Sequence, residues 1–370
     1  MAFDVFSDDD RERPALREFK DIAEQHVLTN PIRHLDADIG GSRDGREDAH
    51  ARRCKGQRDI VHEVRDLAHA HAVRQRHLEQ RHRRTRDPVD DLGEDAEVFE
   101  RSLQIGRRLA IKLLNASKFV LNLGATENSV ITSQSQGQVL TNALDRSLLV
   151  RLAYLIEEAT AAFEKYEYAR ALQIAESFFW SFTDDFVELI KDRAYGARGE
   201  TEQASVLAAL ATTLDALLRL FAPFLPFVTE EIWSWWRAGS VHRASWPQAL
   251  PILEGALLAE YAANNPTAGI SAQWVLADVN PAQIENLKQV LPDVAEALGG
   301  LRKAKSDAKV KQRTEVESAT IAASQEQLER IQSGLEDLRA AGNAREVSLV
   351  PSEGEFEVRD VVLVVEEAAE

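Results

Sequence analysis

Apolar residues recur every three or four positions through the middle of the chain. This period predicts helices over about 101–123, 142–168, 169–195 and 200–222, with a shorter one near 226–238. The breaks fall at residues that end or start helices: Gly124 after the first pattern, Thr141 or Asn142 before the second, Gly196 and Gly199 after the third, Pro223 and Pro226 between the last two. Short connections between long amphipathic helices imply an antiparallel helical bundle over 101–250. Aromatic residues gather there, from Phe178, Phe179 and Trp180 through Phe182 and Phe186 to Phe221, Phe224, Phe227, Trp233, Trp235 and Trp236. At helical spacing most of them are expected in the core.

The pattern then changes. Residues 251–285 read as a connector of mixed character, and 286–370 as a small α+β unit. A helix over about 281–309 leads into a strand over 315–322. A second helix covers about 324–341, and EVSLV and EVRDVVLVV alternate like strands around a turn at Glu353 and Gly354. The fold class is thus mainly α: a helical bundle followed by a small α+β unit. Residues 1–100 lack sustained periodicity and hold sixteen arginines but only two lysines, with no tryptophan or tyrosine. They read as largely irregular, except for a basic surface helix suggested by Val61, Val64, Leu67 and His71.

Composition narrows the chemistry. One cysteine, Cys54, excludes an intrachain disulfide framework and a multi-cysteine zinc site. The group His69, His71, His77 and His82 matches no standard ligand spacing, so no metal is expected. The chain lacks an unbroken apolar run of membrane-spanning length and a basic, then apolar leader, which leaves a cytoplasmic location as the expectation. A net charge of −17 argues against indiscriminate coating of nucleic acid. The stretch 101–151 runs against that average, with seven basic residues and two acidic ones. A polyanion would meet a local basic face on an acidic body.

No phosphate-binding loop, dinucleotide turn or H-E-x-x-H motif occurs. The adjacent pairs Asp184-Asp185, Glu157-Glu158 and Glu230-Glu231 point about a hundred degrees apart on a helix, so no pair converges on one proton. No catalytic residues are assigned. The helix beginning GRRLAIKLLNASKFVLNL is more informative. Leu109, Leu113, Ala116, Val120 and Leu123 share one stripe, while Arg108, Lys112, Asn115 and Phe119 share a second, with Arg107 and Lys118 nearby. Phe119 on a polar stripe either packs under a neighbouring helix or offers a stacking face to an unpaired base, with cations for phosphates and an amide for a base edge. Arg302, Lys303, Lys305 and Lys309 are either a solvated face or secondary phosphate contacts.

Five blocks in order, GRRLAIKLLNASKFVLNLG (106–124), LDRSLLVRLAYLIEEATAAFEKYEYARAL (144–172), FFWSFTDDFVELIKDRAYG (178–196), LRLFAPFLPFVTEEIWSWW (218–236) and VHRASWP (241–247), resemble the anticodon-binding helical domain of valyl-tRNA synthetases. These are class I aminoacyl-tRNA synthetases of the valine, isoleucine and leucine group, and NASKFVL with HRASWP favours valine. The resemblance implies a partner, the anticodon stem-loop of tRNA(Val), met by the positions matching the family's R-x-x-x-K-x-x-N-x-x-x-F pattern: Arg108, Lys112, Asn115 and Phe119. It also implies that the intact enzyme uses ATP. The family's H-I-G-H and K-M-S-K-S type signatures are absent from this sequence, and so is room for its editing domain. The expectation is therefore a tRNA-binding part of a valine–tRNA ligase, inactive alone, without a cofactor of its own, monomeric, and bound to neither DNA nor membrane. A separate catalytic chain is a further possible partner. Residues 1–100 resemble no synthetase segment and read as a frame-disrupted or unrelated extension. A stand-alone RNA-binding or regulatory protein, or a gene remnant, is the alternative.

Overall fold

The computed structural model describes residues 91–132, 139–265 and 280–364, with side chains from Gly106 onward. Leu92–Glu370 forms one compact unit. The expected surface helix at 59–84 and almost all of the irregular zone over 1–100 lie outside the described residues.

Helix α1, Asp91–Asn122, begins ahead of the expected start at 101. Helix α2, Ala143–Glu164, is opened by Asn142, whose side chain accepts from the Leu144 amide at 2.9 Å. Leu144, Leu148, Leu149, Leu152 and Ile156 are all buried along it. The expected single helix over 169–195 is divided. Helix α3, Tyr168–Ser181, runs into a π turn at Phe182–Phe186, followed by the short helices α4, Val187–Leu189, and α5, Lys191–Ala194. The widened turn carries Phe182 and Phe186, both buried, with their rings stacked 6.1 Å apart.

Helix α6, Glu200–Phe221, is long and apolar enough to cross a membrane by length and composition. Here it is a core helix, with Val206, Leu210, Leu214, Leu217 and Phe221 buried against α2 and α3. Helix α7, Pro226–Ser234, starts with proline at its first turn and stops before the expected end at 238. Phe227 departs from the expected aromatic core: it is 61% exposed. Where a connector was expected over 251–285, helix α8, Ala249–Asn264, packs along α2.

Helix α9, Pro281–Asp307, is capped by Asn280 and Gln283 in a reciprocal box. It packs on α2 and also underlies the small α+β part. Strand β1, Val316–Ala323, leads through α10, Gln325–Ser333, and α11, Leu335–Gly342, into β2, Ala344–Pro351, parallel to β1. Two helices supply the long crossover that a parallel pair needs. Strand β3, Glu357–Leu363, returns antiparallel on the other side of β1, giving the order β2-β1-β3. A side chain at Gly300 would overlap Val358, so the missing Cβ is what lets α9 lie against β3. Buried residues of the bundle and of the sheet form one continuous core, with Val294, Leu298 and Leu301 of α9 joining the two.

A buried ion network fastens this junction. The Arg193 side chain is fully buried on α5. Its terminal nitrogens donate to the Asp145 carboxylate of α2 at 2.8 and 2.9 Å, and its Nε donates to both Asp337 oxygens of α11 at 2.9 and 3.1 Å. Burial works against the charge on Arg193, but Asp145 and Asp337 more than offset it and hold the guanidinium above its ordinary range. Ser205 of α6 completes the ring by donating to Asp145 at 2.5 Å. Removing one member strands charges that have no water to solvate them. Arg193→Ala is therefore expected to lower the unfolding free energy by about 3–5 kcal/mol; a loss under about 1 kcal/mol in urea denaturation would show that the network is not the clamp described.

Candidate RNA-binding face

The stripe Leu109, Leu113 and Val120 of α1 is buried on the bundle, as the helical period requires, with Ala116 and Leu123 half-buried at its margin. The second stripe looks outward. Arg108 and Asn115 are exposed, as are Arg107 and Lys118 beside them, while Lys112 and Phe119 are half-buried. The four residues Arg108, Lys112, Asn115 and Phe119 thus lie in line on one described helical face.

Their neighbours differ. Lys112 reaches across to α3 and the π turn, where its Nζ pairs with Asp184 at 2.5 Å and lies 4.8 Å from the centre of the Trp180 ring. A phosphate would have to compete with that carboxylate. Lys118 sits 6.0 Å over Trp235, the residue that caps α7, which donates to Glu231 at 3.1 Å. Phe119 packs partly on the core and meets Tyr195 edge to face, with centroids 6.4 Å apart and planes at 83°. It therefore does both things the sequence left open: one part of the ring is packing, the remainder is accessible.

The adjacent carboxylates go separate ways. Asp184 serves Lys112 and Asp185 accepts from Ser181, while Glu230 accepts from Ser240 and the Val241 amide. Among the described residues no group of three or more metal-ligating side chains occurs, and the histidine cluster at 69–82 lies outside them.

The family described as the anticodon-binding domain of tRNA ligase matches residues 145–321, from the start of α2 into β1. Among curated proteins the chain is similar to the valine–tRNA ligases of Salinispora tropica, 42% identical over 255 residues, and of Thermobifida fusca, 45% identical over 251 residues. These alignments cover 69% and 68% of this chain. The chain belongs to the valine–tRNA ligase family. It spans only about a quarter of the length of these relatives, 28% and 24% respectively. A third valine–tRNA ligase, from Leifsonia xyli, is 43% identical over 70% of this chain and 26% of its own length.

The second cluster, which the sequence left as either a solvated face or secondary phosphate contacts, divides in the structure, and at Lys305 neither reading holds. Lys305 is buried, and its Nζ donates to the backbone carbonyls of Gly342 at 2.7 Å and Gln312 at 3.0 Å. Burial pushes its ammonium below the usual lysine range. It is an internal strut between α9, the following turn and α11, and cannot reach a phosphate. Arg302 pairs with Glu188 of α4 at 3.4 Å, whereas Lys303 and Lys309 remain exposed. The period of α9 placed these cations at its end, but burial at one of them came from the turn at 308–314 folding back over the helix. Lys305→Met removes the donor from two carbonyls and is expected to cost about 1–3 kcal/mol of stability. RNA affinity measured on the folded variant should be unchanged; a clear drop there would return Lys305 to the binding face.

Proposed function

We propose that this chain is the tRNA-binding portion of a valine–tRNA ligase and that the outward stripe of α1 receives the anticodon stem-loop of tRNA(Val). The observation that carries this reading is the alignment of exposed Arg108 and Asn115 with half-buried Phe119 on one face of a helix whose neighbouring apolar stripe is anchored in the bundle. A rigid aromatic ring beside cations and an amide offers stacking, charge neutralisation and base-edge hydrogen bonds in one place. That these relatives are valine–tRNA ligases supports tRNA as the partner and valine as the amino acid. In the intact enzyme ATP would drive attachment of valine to tRNA. This chain contributes recognition, has no resident cofactor, and acts as a monomer in the cytoplasm away from DNA and membranes, either joined to or associated with a catalytic part.

A stem-loop of tRNA(Val) titrated into the full chain should bind, with affinity falling as salt rises because ion release accompanies phosphate contact. Phe119→Ala should weaken binding roughly five- to a hundredfold, the range for losing one stacked base, while costing only about 1–2 kcal/mol of stability because the ring is half-buried. Equal affinity of wild type and variant would remove Phe119 from the interface. Valine-dependent ATP–pyrophosphate exchange by the purified chain alone is expected to be nil, and any such activity would contradict the assignment of recognition without activation.

A further inference from the structure

Tyr195 is 69% exposed, while its ring neighbour Phe119 packs against the core. It caps α5, and its amide is fixed by the Lys191 carbonyl at 3.0 Å. The backbone turns sharply behind it. Gly196 has φ +81°, a conformation that favours glycine, and its amide returns to the Arg193 carbonyl at 2.9 Å. Gln203 of α6 also holds the Ala194 carbonyl at 3.0 Å. Two residues before the ring, Arg193 is locked between Asp145 and Asp337. The Tyr195 backbone is therefore rigidly placed although the ring is open to solvent.

Phe119 approaches that ring at right angles, 6.4 Å between centroids. Two aromatic surfaces at about ninety degrees make an inside corner: a flat heterocycle can stack on one while its edge meets the other. Arg108 and Asn115, exposed on the Phe119 stripe, and Lys118, exposed next to Phe119, supply charge and hydrogen-bonding groups along the approach. A preset corner loses little freedom on binding, so more of the stacking energy appears as affinity.

We propose that Tyr195 is a second base-stacking wall, forming with Phe119 a corner that takes one unpaired base of an RNA loop. The proposal rests on the reading of this face as an RNA site and extends it to the residue that caps α5. Stacking is the interaction, so the ring and not the hydroxyl is required.

The test uses the full chain and a stem-loop of tRNA(Val) in which 2-aminopurine replaces each loop base in turn. Tyr195→Ala should weaken binding roughly five- to a hundredfold, Tyr195→Phe should stay within about twofold, and neither should move the unfolding midpoint appreciably because the ring is exposed. One loop position should show emission quenched on binding to wild type and Tyr195→Phe and restored with Tyr195→Ala. Wild-type affinity and quenching in Tyr195→Ala, with Phe119→Ala still impaired, would overturn the corner and leave the RNA-binding face standing. Equal losses in Tyr195→Ala and Tyr195→Phe would also overturn it, by placing the effect in the hydroxyl. No binding of the stem-loop by wild type would sink both.

Discussion

The ion cluster centred on Arg193 is the constraint on which the geometry of this molecule depends. One guanidinium, wholly removed from water, is shared between Asp145 near the start of α2 and Asp337 on α11, with Ser205 of α6 attached through Asp145. Four helices from three separate stretches of the chain must reach the same point for all these bonds to form. Asn142 tightens the arrangement by donating to Glu202 at 3.2 Å while capping α2. Such a cluster adds little net stability compared with apolar packing of the same volume, but it tolerates very few arrangements, since a misplaced helix would leave a charge buried and unpaired. It therefore sets which end of the bundle the α+β part is fastened to.

That same end carries the candidate RNA face. Tyr195 follows Arg193 by two residues and touches Phe119 of α1, so the position of the exposed ring is tied to the buried cluster. Further along α6 a second shared acid plays a comparable part. Asp215 of α6 takes Arg219 and Arg237, and Arg237 lies over the rings of Trp233 and Trp236 at 5.3 and 4.9 Å and pairs with Glu127 just after α1. Helix α1 is thus held by its apolar stripe from Leu109 to Val120 and by an arginine-mediated link after its end. On its polar stripe Arg108 and Asn115 face solvent, while Lys112 and Phe119 also touch neighbouring elements.

Much of the site was legible in the sequence. A single helical period separates Leu109, Leu113 and Val120 from Arg108, Lys112, Asn115 and Phe119, and the same period fixes their spacing on the folded helix. What it could not reveal was the company each residue keeps. Lys112 shares its charge with Asp184, whose sequence distance gives no hint of contact. Lys305 looked like one of a run of surface cations until the segment after α9 and the end of α11 closed over it with two carbonyls. Tyr195 gave only a weak signal, an aromatic residue between a helix and Gly196, and acquired meaning from Phe119 in a helix more than seventy positions away.

By itself the sequence determined the approximate extent and buried sides of most long helices, the α+β character of the C-terminal part and the two stripes of α1, because periodicity and capping act over one or two turns. It left open where helices break for packing reasons: the π turn at Phe182–Phe186 and the interruption at Gly334, where a Cβ would come within 2.8 Å of Val294. Only the tertiary structure decided that the bundle and the sheet share one core through α9, that α8 belongs to it, which cations are free, and which rings remain exposed. Those outcomes depend on pairs of groups meeting across long stretches of chain, where burial of a charge or a ring is a property of both partners and of neither alone.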